Sequence, residues 1–207
     1  MSGGMAGRFI SFEGIDGSGK STQLRALATR LRTGGAPVVE TREPGGSEGA
    51  EAVRRLLVEG ETGRWSPETE ILLFTAARRD HLERTIRPAL AAGATVLTDR
   101  FADSTRVYQG VARGDLRGMV DTLHALAIGV EPDLTVILDL DPATALGRGL
   151  ARGGAEDRYE RFGAGFQARL RAGFLALAAE FPGRCRVVPA DGPAQAVAER
   201  VARAVLA

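Results

Sequence analysis

Gly14 to Ser21 read Gly-Ile-Asp-Gly-Ser-Gly-Lys-Ser, a glycine-framed stretch that closes on a lysine and a hydroxyl residue. The pattern G-x-x-x-x-G-K-[ST] is met in full. Glycines at this spacing let successive backbone N–H groups turn inward around an anion. A helix starting at the lysine would aim its positive end at the same anion. Lys20 would then reach the outer phosphates of a nucleotide, and the Ser21 hydroxyl would ligate Mg²⁺. The loop predicted to bind ATP comprises Gly14, Ile15, Asp16, Gly17, Ser18, Gly19, Lys20, Ser21 and Thr22. Such a loop serves switches, motors, regulatory ATPases and kinases of small molecules alike. No N-K-x-D segment that would read a guanine base follows it, which argues against a switch GTPase.

Three further segments bear on the choice. Thr98-Asp99-Arg100-Phe101 closes an apolar run. Ligands of open α/β sheets sit at the carboxyl ends of strands, so Asp99 is expected beside the phosphate loop, near the metal. The alternative is that Asp99 caps the next helix. Arg100 could hold a second phosphate with its planar fork. Phe74 and Arg78, four apart in a helical pattern from about Pro67, share one face. They could stack a base and donate to its carbonyls, or be a core phenylalanine beside a solvated arginine. Residues 148–162 mix arginines with glycines, as a flap closing over phosphates would, or an ordinary solvated loop.

Short apolar runs at Arg8–Phe12, Pro37–Thr41, Thr95–Thr98, Leu134–Leu138 and Cys185–Val188 read as strands, separated by stretches with apolar residues at helical spacing. That alternation predicts a parallel sheet covered on both faces, in one three-layer α/β domain over residues 1–207 with a floppy start at 1–7. The 207 residues suit one domain. Lys plus Arg number 27 against 26 Asp plus Glu, a balance that argues against a nucleic-acid-binding face. The longest uncharged run, Pro88 to Thr98, has eleven residues, too few for the roughly 20 of a membrane span. One cysteine, Cys185, excludes an internal disulfide, and with His81 and His124 alone a zinc cage cannot be built. A cytoplasmic chain is expected.

Taken in order, Phe12 to Gln23, Thr41-Arg42-Glu43-Pro44-Gly45-Gly46, Phe74 to Arg78, Asp99-Arg100-Phe101, Ser104-Thr105, Tyr108-Gln109-Gly110 and Pro132-Asp133-Leu134 resemble the thymidylate kinases of bacteria. The resemblance implies a P-loop nucleoside monophosphate kinase fold with a five-stranded parallel sheet flanked by helices. It implies transfer of the γ-phosphoryl of ATP to dTMP with Mg²⁺, in a homodimer that binds neither nucleic acid nor membrane. Carried over residue by residue, it gives Asp16 the deoxyribose 3′-hydroxyl, Phe74 the base stack, and Arg78 with Thr105 the thymine edge. Tyr108 falls beneath the sugar, Arg100 on the acceptor phosphate, and Arg42 on a further phosphate contact. Lys20, Arg100, Asp99 and the lid residues Arg152 and Arg158 form the catalytic set, with Ser21 and Asp99 on the metal. A kinase of another nucleoside monophosphate and a nucleotide-sensing switch are the alternatives, and the acceptor-side set counts against both.

Overall fold

In the computed structural model, residues 7–60, 63–112, 114–152 and 163–206 are described; for 112, 149–152, 163 and 164 this covers the backbone only. Five strands form one sheet: β1 (Phe9–Glu13), β2 (Val38–Arg42), β3 (Thr95–Asp99), β4 (Leu134–Asp139) and β5 (Cys185–Pro189). Their spatial order is β2-β3-β1-β4-β5, and every pairing is parallel. The five strands expected from apolar runs are all present, but β1 and β2 sit one residue further on, and β3, β4 and β5 run one residue longer. Glu13, Arg42, Asp99 and Asp139 each close a strand. Hydrophobicity truncates a strand at its first charge, whereas the backbone ladder is indifferent to side-chain polarity and continues through it.

The helices are α1 (Lys20–Thr33), α2 (Glu48–Val58), α3 (Pro67–His81), α4 (Arg87–Ala91), α5 (Ala102–Val107), α6 (Arg117–Ala127), α7 (Pro142–Arg152), α8 (Gly163–Glu180) and α9 (Ala194–Leu206). Wider π-helical turns at Leu82–Ile86 and Tyr108–Ala112 follow α3 and α5. The start of α3 is written in the sequence: Ser66 accepts from the Thr69 amide at 3.2 Å, Pro67 fills the first turn, and Glu68 and Glu70 face the helix dipole.

Alternation along β1 divides the core. Ile10 and Phe12 join Leu24, Leu27, Leu97, Val136 and Val201 on one face. Phe9, on the other, meets Leu82, Ile86, Val96, Phe101 and Ile128. Ser11 and Glu13 share the Phe9 face by the same period of two, so β1 carries a hydroxyl and a carboxylate into a buried layer. Cys185 is buried at the head of β5, and burial pushes its thiol up to about 11, as expected of an inert core thiol.

Candidate active site

The phosphate loop begins where β1 ends. Gly14 lies at φ +133, and a Cβ there would stand 2.7 Å from the Leu138 carbonyl oxygen. Gly17, at φ +83, would bring one to 2.1 Å from the Ala145 carbonyl oxygen. Neither position admits a side chain, so the loop curls tightly before α1. Lys20, first residue of α1, folds its ammonium back to donate to the carbonyls of Gly14 (3.1 Å) and Ile15 (3.0 Å), 3.9 Å from Asp16 Oδ1. Burial, reinforced by the Arg100 cation, pulls the Lys20 amine down to about 8. An anion seated in the loop would reverse that pull, as expected of a cation built to meet phosphate.

Register in the sheet brings Asp99 beside Phe12 of β1. The Ser21 hydroxyl donates to Asp99 Oδ2. The helix-cap alternative for Asp99 fails: the N-cap position of α5 is Phe101, two residues further on, and no side chain caps that helix. Arg100 sits in the left-handed region at φ 73, and its amide still donates to the Phe12 carbonyl at 3.0 Å. Its guanidinium donates to Asp16 Oδ1 (2.5 Å), Tyr108 Oη (3.1 Å), Ser104 Oγ (2.9 Å) and the Gly14 carbonyl (3.3 Å). Burial works against the charge on Asp16, but Arg100 and Lys20 outweigh it and hold the carboxyl below its usual range.

The second cluster lies on the β2 side. Arg78 is only 3% exposed, which rules out the solvated arginine. Its Nε donates to Glu43 Oε2 at 2.7 Å and its Nη2 to Thr105 Oγ1 at 3.0 Å, with the guanidinium 5.1 Å over the Phe101 ring. Phe74, one turn earlier, is half-buried. The structure thus gathers Asp16, Lys20, Ser21, Asp99, Arg100 and Tyr108 around the loop, and Arg78 with Thr105 behind. Arg42 stays apart: level with Asp99 in the ladder, it is exposed and donates to the Glu51 carboxylate at 3.1 Å. Arg158 lies outside the described residues, as does the side chain of Arg152.

Two carboxylates were not anticipated. Glu13 is fully buried and accepts from Phe101 N and, at 2.6 Å, from Ser104 Oγ. Burial, helped by the Asp103 charge, raises it to about 7. Glu43 joins Arg78 to His81. The available signal was position: each is an acidic residue where a strand runs into a glycine-rich turn.

Ser21 and Asp99 supply only oxygen donors, which suits a hard divalent cation. Among the described residues no group of three or more His, Cys, Asp or Glu could hold a metal alone. Ser21 and Asp99 therefore fit an ion that takes most of its ligands from phosphates and water, as Mg²⁺ does.

A family model described as thymidylate kinase matches residues 12–201. The chain belongs to the thymidylate kinase family. It is 67% identical to the thymidylate kinase of a Jannaschia species over 193 residues, covering 93% of each chain. To that of Ruegeria pomeroyi it is 62% identical over 206 residues, 100% of this chain and 97% of the other. The crystal structure of thymidylate kinase from Ehrlichia chaffeensis matches with a TM-score of 0.77 at 37% identity, covering 97% of this chain and 99% of that one. The fold is thus that of a P-loop nucleoside monophosphate kinase, and as a thymidylate kinase family member the chain is an enzyme of that class.

Proposed function

We propose that this chain moves the γ-phosphoryl of ATP onto the 5′-phosphate of dTMP, giving dTDP and ADP, with Mg²⁺ as the divalent ion. One observation carries the reading. Lys20, the cation of the phosphate loop, and Arg100, the cation at the end of β3, both donate to the same carbonyl, that of Gly14, at 3.1 and 3.3 Å. Phosphates held by these two groups would face one another end to end.

An acceptor phosphate oxygen is already a competent nucleophile, so no general base is needed. The oxygen forms its bond to the γ-phosphorus as the bond to the β–γ bridging oxygen breaks, and ADP leaves with that electron pair. The obstacle is charge: two unit anions 4 Å apart repel by about 4 kcal/mol at an effective dielectric of 20. Lys20 and Arg100 offset it from either side, with Arg152 and Arg158 assigned to the transferring group from the lid at 148–162. Mg²⁺, when bound by Ser21 and Asp99, supplies further neutralisation of the phosphates. Cations of this kind contribute about 10³- to 10⁵-fold in related transfers.

The remaining assignments follow the same axis. Gly14 to Thr22 cradle the ATP phosphates, and Asp16, fixed by Arg100 and Tyr108, accepts from the sugar 3′-hydroxyl. Tyr108 lies under the sugar, where a 2′-hydroxyl would crowd it. Phe74 stacks the base, Arg78 and Thr105 read its edge, and Arg42 reaches a phosphate only by releasing Glu51. One domain carries both substrate sites. Leu72 on α3 and Leu126 on α6, 51% and 83% exposed, favour a homodimer through that face. Among the described residues no helix is long and apolar enough to cross a membrane, which suits a cytoplasmic location.

The deciding experiment measures ADP formation with dTMP, dUMP, CMP and AMP side by side. The reading expects dTMP to be the preferred acceptor. ATP binding without acceptor-dependent ADP release would instead mark a nucleotide sensor.

A further inference from the structure

Arg78 is fastened from behind in a way that charge neutralisation alone does not require. Glu43 takes its Nε through one carboxylate oxygen, and the other, Oε1, lies 3.0 Å from His81 Nδ1. His81 is fully buried, and its Nε2 stands 2.7 Å from Thr41 Oγ1. With a carboxylate facing Nδ1, that nitrogen carries the proton, and the Thr41 hydroxyl can donate to Nε2. Glycine is needed at position 46 for this packing: a Cβ there would sit 2.4 Å from Thr41 Oγ1 and 2.5 Å from His81 Nε2. Hydrogen bonds thus run from β2 through His81 and Glu43 to the Arg78 fork.

An arginine side chain has several rotatable bonds, and its fork discriminates only when its plane is fixed. Here Glu43 holds Nε, Thr105 holds Nη2, and Phe101 covers one face. Nη1 is the terminal nitrogen with no partner among the described residues. The geometry points to Glu43 as a positioning residue, held by His81, that presents Arg78 Nη1 to a carbonyl oxygen at C4 of the acceptor pyrimidine. Such a fixed donor accepts thymine or uracil and rejects cytosine, whose amino group at that place cannot accept a hydrogen bond. The inference rests on the acceptor assignment above and goes beyond it, because it makes base selection depend on two residues that do not touch the base.

The test is steady-state kinetics on the full chain, with dTMP, dCMP and ATP varied in turn. Wild type must first phosphorylate dTMP; its failure to do so would count against the functional reading, not against this one. Glu43→Gln is expected to raise KM for dTMP about tenfold or more and to cut the preference for dTMP over dCMP by a similar factor. kcat at saturating dTMP and KM for ATP should stay within about threefold. His81→Gln should act in the same direction by a smaller factor. In the Arg78→Ala background, Glu43→Gln should have almost no further effect on KM for dTMP, since the group it positions is gone. Effects that multiply fully in the double variant, an unchanged dTMP-to-dCMP ratio, or a parallel loss of kcat would overturn the proposal. So would failure of both Glu43→Gln and His81→Gln to fold, which would make the pair a core ion pair and nothing more.

Discussion

Tyr108 takes a hydrogen bond from Arg100 Nη2 at 3.1 Å and donates one to Asp16 Oδ2, also at 3.1 Å. The phenol therefore ties Arg100, proposed for the acceptor phosphate, to Asp16, proposed for the sugar hydroxyl. Its ring stays in place without the hydroxyl, packed edge-on against Phe166 and Phe174 at centroid distances of 6.4 and 6.3 Å. Tyr108→Phe should consequently fold normally and raise KM for dTMP about tenfold, the worth of roughly one net hydrogen bond. Arg100→Ala should cut kcat by about 10³-fold, since a charge is lost and not merely its orientation. Initial-rate measurements on both variants check this, and equal losses would mean that the hydroxyl itself takes part in the chemistry.

Lys20 sets function against stability. Its folded pKa of about 8 lies below the ordinary 10.5, so its contribution to stability is present above pH 10.5 and lost as pH falls through 8. At neutral pH burial of the ammonium costs on the order of 3 kcal/mol, partly offset by its bonds to the Gly14 and Ile15 carbonyls at about 1 kcal/mol each, which leaves a net cost of about 1 kcal/mol. Lys20→Met should raise the thermal midpoint by about 2 to 4 °C while lowering kcat by about 10³-fold or more. Calorimetry without nucleotide gives the first number, and a drop in midpoint would contradict the assigned burial cost.

Glu13 makes the opposite prediction with pH. Its carboxyl is raised from 4.5 to about 7, so the stability it contributes is complete below pH 4.5 and lost as pH rises through 7. Across that window the wild type should lose on the order of 3 kcal/mol that Glu13→Gln keeps. Urea unfolding at pH 5 and pH 8 compares the two, and parallel loss in both proteins would show that another group titrates.

The frame of the molecule was legible because its signals are local. Alternating apolar runs mark strands, Ser66-Pro67 opens α3, and the glycines of the phosphate loop stand where a Cβ would strike Leu138 or Ala145. Lys20, Ser21 and Asp99 could be paired in advance, since the loop follows one strand and Asp99 ends another. Glu13, Glu43 and His81 could not. Each acts through a partner distant in sequence: Glu13 through Phe101, 88 residues on, and Glu43 through Arg78, 35 residues on. A lone carboxylate at a strand end looks the same in sequence whether it faces water or fastens an arginine, and only the packed sheet decides. Arg42 is the converse case, since family position gives it a phosphate but the side chain has taken Glu51.

The Ser21–Asp99 contact bears on the metal. Two oxygen donors cannot hold a hard divalent ion tightly without phosphate, so binding of the ion should depend on nucleotide. Chelation with EDTA should abolish ADP formation, and added Mg²⁺ should restore it. Asp99→Asn removes a charge and should raise the Mg²⁺ concentration for half-maximal rate about tenfold; Ser21→Ala, which removes a neutral ligand, should raise it less. Neither change touches Arg78 or Phe74, so KM for dTMP at saturating Mg²⁺ should stay within about twofold. Titrating Mg²⁺ at fixed ATP in the three proteins separates these outcomes. A Mg²⁺ dependence unchanged in Asp99→Asn would move the ion away from the end of β3.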